Sequence, residues 1–179
     1  MKPLFDTVAL IGVGLIGSSL ARALRKHGLA RRIIGCARTP ATRDKLLELK
    51  LVDAAHLDAG AAVAGADLVV ICTPLSTYGA IARTIGPRLK KTAIVTDVGS
   101  VKMSTLRDVG PHLPKGVAFV PGHPVAGTEH SGPEAGFAEL FRDRFCILTP
   151  TPATDARAVE RVSELWRKLG SRVELMDPE

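Results

Sequence analysis

Three short segments carry residue types that can do chemistry. GVGLIG spans 12–17, DVGSVK spans 97–102, and GHPVAGTEHSG spans 122–132. The last places His123, Glu129 and His130 among glycines and prolines. A turn uses glycine and proline for their backbone angles, but it has no need of two histidines and a glutamate. A neutral imidazole can accept a proton or a hydrogen bond near physiological pH. His123 is therefore the leading candidate for acid–base work, with a histidine satisfied inside its own loop as the structural alternative.

The glycine segment offers a different chemistry. A GxGxxG pattern that follows a buried strand and opens a helix is the context in which a dinucleotide is bound. Gly12 permits the tight turn, Gly14 lets a pyrophosphate approach the backbone, and Gly17 lets helix and strand pack closely. The helix N-terminus, with Leu15 and Ile16 in its first turn, presents free N–H groups and a partial positive charge to the phosphates. A glycine-rich turn that serves packing alone is the competing reading.

The second predicted strand refines the cofactor. An NAD site calls for an acid at the strand end to hold the adenosine ribose. Here IIGCARTP puts Ala37 at that position, followed by Arg38 and Thr39. A small residue followed by a cation and a hydroxyl leaves space and donors for a 2′-phosphate, which points to NADP over NAD. An exposed arginine at a strand end is the alternative.

These segments need elements to hold them. Apolar runs predict strands over 7–12, 32–36, 67–73, 93–98, 117–120, 144–149 and 171–176. Between them, helical periodicity places Ile16, Leu20, Ala23 and Leu24 on one stripe ending at Gly28. Further helices are predicted over 40–50, around Tyr78, Ile81, Ala82 and Ile85, over 102–109, and after Asp155 with Val159, Val162, Trp166 and Leu169 inward. Strand–helix alternation predicts one α/β domain: a doubly wound, mostly parallel sheet of the Rossmann type. In such a sheet the loops after the strands line the ligand crevice. Thr73 and Pro74 of CTPLSTY (72–78), Ser100 of DVGSVK and His123 should therefore meet there.

Composition narrows the function classes. The chain has 179 residues, enough for one ordinary domain, with one Trp, one Tyr and a formal charge of +6. Its 24 Lys and Arg residues are spread along the chain rather than gathered with aromatics, which argues against nucleic-acid binding. A basic surface can instead draw in anionic cofactors or dicarboxylates. Cys36, Cys72 and Cys146 are odd in number, lack CxxC spacing and sit in or beside apolar runs, so a reducing, cytoplasmic setting is expected. No metal site is expected. Asp6 and three glycines interrupt the apolar N-terminus, unlike a signal peptide, and no apolar run is long enough to span a membrane.

Taken together, GVGLIGSSLA, the CTP turn, DVGSVK and GHPVAGTEHSG resemble the prephenate/arogenate (cyclohexadienyl) dehydrogenases of tyrosine biosynthesis, over essentially the whole chain. The resemblance implies an NAD(P)-dependent oxidative decarboxylation of prephenate or arogenate. It assigns His123 the role of catalytic histidine at the ring hydroxyl and Ser100 a contact to both that histidine and the hydroxyl. Thr128 and Glu129 would border the substrate side chain. It also implies a helical domain beyond Asp177-Pro178-Glu179 that dimerises and supplies an arginine for the ring carboxylate. Residues 1–179 alone are then expected to be mostly monomeric and inactive, with Lys102 the only fixed cation in the motif loops. Two other readings stay open from the residues: a hydroxyacid or imine oxidoreductase of similar fold, and a stand-alone NAD(P)-binding sensor without catalysis.

Overall fold

From Val8 to Ile11 the side chains of the first strand alternate between two apolar cores, because both faces of the sheet it enters are covered. The computed structural model describes residues 2–179. β1 (Phe5–Ile11) leads into α1 (Leu15–Lys26), and β2 (Ala30–Cys36) into α2 (Pro40–Glu48). Then come β3 (Ala54–His56), α3 (Ala59–Val63), β4 (Leu68–Ile71), α4 (Tyr78–Ile85), β5 (Ile94–Asp97) and α5 (Lys102–Val109). The chain closes with β6 (Ala118–Val120), β7 (Gly122–Pro124), β8 (Phe145–Leu148), α6 (Ala156–Lys168) and β9 (Arg172–Leu175).

Six strands form a wholly parallel sheet in the order β3-β2-β1-β4-β5-β6. Val8 and Leu10 of β1, with Leu68 and Val70 of β4, face a core built with Leu20, Leu24, Val162 and Trp166. Ala9, Ile11, Val69 and Ile71 face the opposite core with Val63, Tyr78, Ala82, Ile85 and Val109. Burial on both faces is what makes parallel strands read as continuous apolar runs. The strand order reverses between β1 and β4, so a ligand crevice opens at their carboxyl ends.

The doubly wound fold is as expected, with two additions. β3 and α3 are absent from the sequence expectation because AAH and AGAAV are too short and too rich in Ala and Gly to show a period. The second addition is a separate three-stranded sheet, β7-β8-β9. β7 and β8 are antiparallel, while β8 and β9 are parallel. Residues 122–124, expected as loop, are thus a strand, and only Pro121 separates it from β6. Among the described residues no helix is long and apolar enough to cross a membrane.

Candidate active site

The three glycines of the first loop differ in what a side chain would meet. Gly12 adopts φ +84°, a region open to glycine, and a Cβ there would lie 2.7 Å from Thr73 Cγ2. A Cβ on Gly17 would stand 2.5 Å from the Gly12 carbonyl oxygen, so α1 meets the loop closely only without a side chain. A Cβ on Gly14 would meet nothing within 4 Å. Packing therefore does not require Gly14 to be glycine; the open space beside it suits a ligand. α1 starts with no side-chain cap and no acid in its first turn, which leaves its N-terminal N–H groups for an anion.

That open space is a cavity of about 620 Å³ at the switch point. Gly12, Gly14, Arg38, Thr73 and Pro74 line it, together with Thr42, Thr77 and the Gly132–Pro133 pair. Its size suits a dinucleotide-scale ligand. Leu15, Ile16 and Gly17 sit behind the loop in α1, and Thr39 caps α2 by accepting from the Thr42 amide at 3.2 Å. Ala37 is buried at the end of β2, so no carboxylate stands where a ribose-binding acid would. Arg38 beside it is exposed.

Gly132 and Pro133 reach the cavity because their segment folds back on α1. Phe137 donates its amide to Ser19 Oγ at 3.1 Å, and Arg22 donates to the Pro133 carbonyl at 3.3 Å. Gly136 packs against Ser18 and the Ser19 amide so closely that a Cβ would clash. Sequence reasoning missed this rim. The available signals were the Gly132-Pro133 and Gly136 positions opposite the buried Ser18-Ser19 pair.

Asp97 organises the remaining motifs. It is fully buried and accepts from the Gly99 amide (2.9 Å), the Gly122 amide (3.0 Å) and Lys102 Nζ (2.9 and 2.7 Å). Lys102 Nζ also donates to the Gly122 carbonyl at 2.6 Å. Lys102, the only fixed cation in the motif loops, is buried and held by these partners. Burial pulls its ammonium below the usual lysine range, against the opposing pull of Asp97.

His123, next along β7, is half-buried and pairs across the sheet with Ile147. Burial, and then the Lys102 ammonium, hold its imidazole below the ordinary histidine range; Asp97 acts in the other direction. The ring therefore favours the neutral form that can accept a proton. Ser100 is exposed in the turn that the Asp97–Gly99 bond shapes. Thr128, Glu129 and His130 lie on exposed loop, with the His130 amide donating to Thr128 Oγ1 at 3.1 Å. His130 Nε2 and Glu129 Oε1 are 3.6 Å apart, both at the surface. Of the titratable cluster, only His123 is embedded in the fold. The cysteines are not nucleophiles here: burial pushes the Cys36 thiol up to about 11 and raises Cys72 and Cys146 as well.

Comparison with known proteins gives the family and the fold. The family described as "Prephenate dehydrogenase, nucleotide-binding domain" matches residues 20–175. A cyclohexadienyl dehydrogenase of Zymomonas mobilis is 42% identical over 175 residues, 98% of this chain and 59% of that protein. The crystal structure of prephenate dehydrogenase from A. aeolicus, in complex with hydroxyphenyl propionate and NAD+, superposes with a TM-score of 0.89 at 35% identity. The match covers 97% of this chain and 60% of that one. Synechocystis arogenate dehydrogenase gives a TM-score of 0.88 at 34% identity, over 96% of this chain and 60% of its own. The chain thus spans about 60% of the length of each of these three relatives.

Proposed function

This chain belongs to the prephenate dehydrogenase family as its nucleotide-binding domain, and on that premise we propose that it holds NAD(P) and the proton acceptor for oxidative decarboxylation of prephenate or arogenate. The observation that carries the reading is the glycine-lined cavity at the switch point; Ser100 and His123 do not line it, and burial of the His123 ring on β7 favours its neutral form.

The residues fit the cofactor. Gly14 leaves room for the pyrophosphate, the α1 N-terminus supplies donors, and Thr73 and Pro74 face the cavity from β4. Ala37 and Arg38 favour NADP: a buried alanine cannot hold a ribose diol, while an exposed guanidinium can pair with a 2′-phosphate. Bound nicotinamide would supply the hydride acceptor.

His123 would accept a hydrogen bond from the ring hydroxyl, drawing electron density into the C–O bond as hydride departs from the same carbon. Ser100 would orient that hydroxyl, and Thr128 and Glu129 would border the substrate side chain. Loss of carbon dioxide leaves its bonding pair in the ring, which becomes aromatic, so the protein chiefly positions the reacting groups. With Lys102 committed to Asp97, a cation for the ring carboxylate must come from outside these residues. The longer relatives have room for it in the remaining part of their chains.

The test is a turnover assay of the longer protein with prephenate and arogenate against NAD and NADP, beside calorimetric titration of residues 1–179 with each cofactor. Cofactor binding by residues 1–179 with turnover only in the longer protein is expected. Failure to bind either dinucleotide would remove the reading.

A further inference from the structure

Among the ion pairs of the described residues, only Asp97–Lys102 has both side chains buried, at 0% and 7% exposure. A buried pair recovers its desolvation cost only with good geometry and further hydrogen bonds, and apolar replacements are often at least as stable. Stability alone is therefore a poor reason for this one, and its partners suggest another. Lys102 Nζ and Asp97 Oδ1 take both backbone groups of Gly122, the residue directly before His123. Asp97 Oδ2 takes the amide of Gly99, the residue directly before Ser100. One carboxylate thus anchors the backbone entering both proposed substrate contacts, from two motifs about twenty residues apart. Close packing reinforces the anchor: a Cβ on Gly122 would stand 2.9 Å from the Asp97 carbonyl oxygen, and one on Gly99 would stand 3.0 Å from Asp97 Oδ2.

We propose that Asp97 and Lys102 are positioning residues that hold Ser100 and His123 in one mutual geometry and set the charge environment of the imidazole. The proposal rests on the reading of His123 as the hydroxyl's acceptor. Two charged groups act on the ring, Lys102 from α5 and Asp97 from β5; Cys146 of β8 lies against the His123 backbone and is kept a neutral thiol by burial. The two charges act on His123 in opposite senses, and this separates a positioning pair from a merely structural one.

The experiment is NMR titration of the histidine rings in the isotope-labelled protein, with His123 assigned by loss of its signals in His123→Asn. Lys102→Met leaves the carboxylate unopposed and should raise the His123 midpoint by about one unit. Asp97→Asn leaves the ammonium unopposed and should lower it, and Lys102→Arg should keep it near the wild-type value. Shifts of the same sign in Lys102→Met and Asp97→Asn, or none in either, would overturn the proposal. Should Lys102→Met fail to fold, Asp97→Asn and Lys102→Arg decide alone: an unchanged or raised midpoint in Asp97→Asn overturns it. Calorimetric titration with NAD and NADP accompanies each sample. A wild-type protein that binds neither cofactor defeats the functional reading. One that binds normally while the midpoints stay fixed defeats only this inference.

Discussion

Gly17 and Gly12 approach so closely that a single added carbon on Gly17 would sit 2.5 Å from the Gly12 carbonyl oxygen. The turn that shapes the cavity and the helix that offers it N–H groups are therefore locked together by the lack of a side chain. Gly17→Ala must push α1 away from the loop, an overpacking cost of about 1–3 kcal/mol. It should lower the thermal midpoint and weaken dinucleotide binding together. Calorimetry and thermal unfolding check this, and unchanged affinity would show that the close approach does not matter to the site.

Cofactor choice should turn on Arg38. Removing one charge-assisted contact costs about 1.5–3 kcal/mol, or roughly ten- to hundredfold in affinity. Arg38→Ala should weaken NADP by that factor and leave NAD nearly unchanged. A wild-type protein that clearly prefers NAD would reject the assignment before any substitution is made.

His123→Asn should leave cofactor affinity nearly unchanged while reducing turnover of the longer protein by roughly 10²–10⁴, the usual contribution of an acid–base group. Burial and Lys102 lower the folded-state pKa of His123, so the neutral form persists to lower pH than in an unfolded chain. The acidic limb of the rate profile should accordingly fall below about 6.5, the ordinary histidine value. The sign for stability agrees: the neutral ring is accommodated above that value, and stability declines as pH falls and the buried ring must charge. A limb above 6.5 would point to another group.

At the far end of the sheet, Asp67 should govern acid stability. Burial pushes its carboxyl up, but hydrogen bonds from Lys90 Nζ at 2.6 Å and the Thr7 amide at 3.0 Å outweigh this and hold it low. A depressed carboxylate contributes stability above its unfolded pKa of about 3.9, and this is lost as pH falls through the folded value. Asp67→Asn should flatten that decline in a series of denaturant melts below pH 5, with cofactor affinity unaltered. A melt series identical to wild type would contradict it.

The strands at 7–12, 32–36, 67–73 and 93–98 were legible because burial on both faces leaves an uninterrupted apolar run. The glycine loop was legible because each glycine answers a separate local demand. β3 and α3 were not, since three to five residues of Ala and Gly carry no period. β7 was hidden for another reason: His123 and Pro124 look like loop, and only pairing with β8, more than twenty residues later, makes them strand. The burial of Lys102 was equally invisible, because a lysine in a polar motif shows no sign of a carboxylate waiting five residues earlier. Long-range pairing decides such positions, and one-dimensional patterns do not contain it.

The Gly132–Pro133 rim ties distant parts of the chain together. The cavity's glycine edge and its Thr73 wall both lie in the first half of the chain. The rim is joined to α1 by contacts spanning 111 and 118 residues. Closing so long a loop adds little to the free-energy cost, since each doubling of length contributes only about 0.6 kcal/mol. In sequence, however, the rim is late: Gly132 and Pro133 follow every other residue that lines the cavity. A dinucleotide lying between α1 and the rim would tie the earliest and later parts of the chain together, acting as a fastener across the fold as well as a reagent.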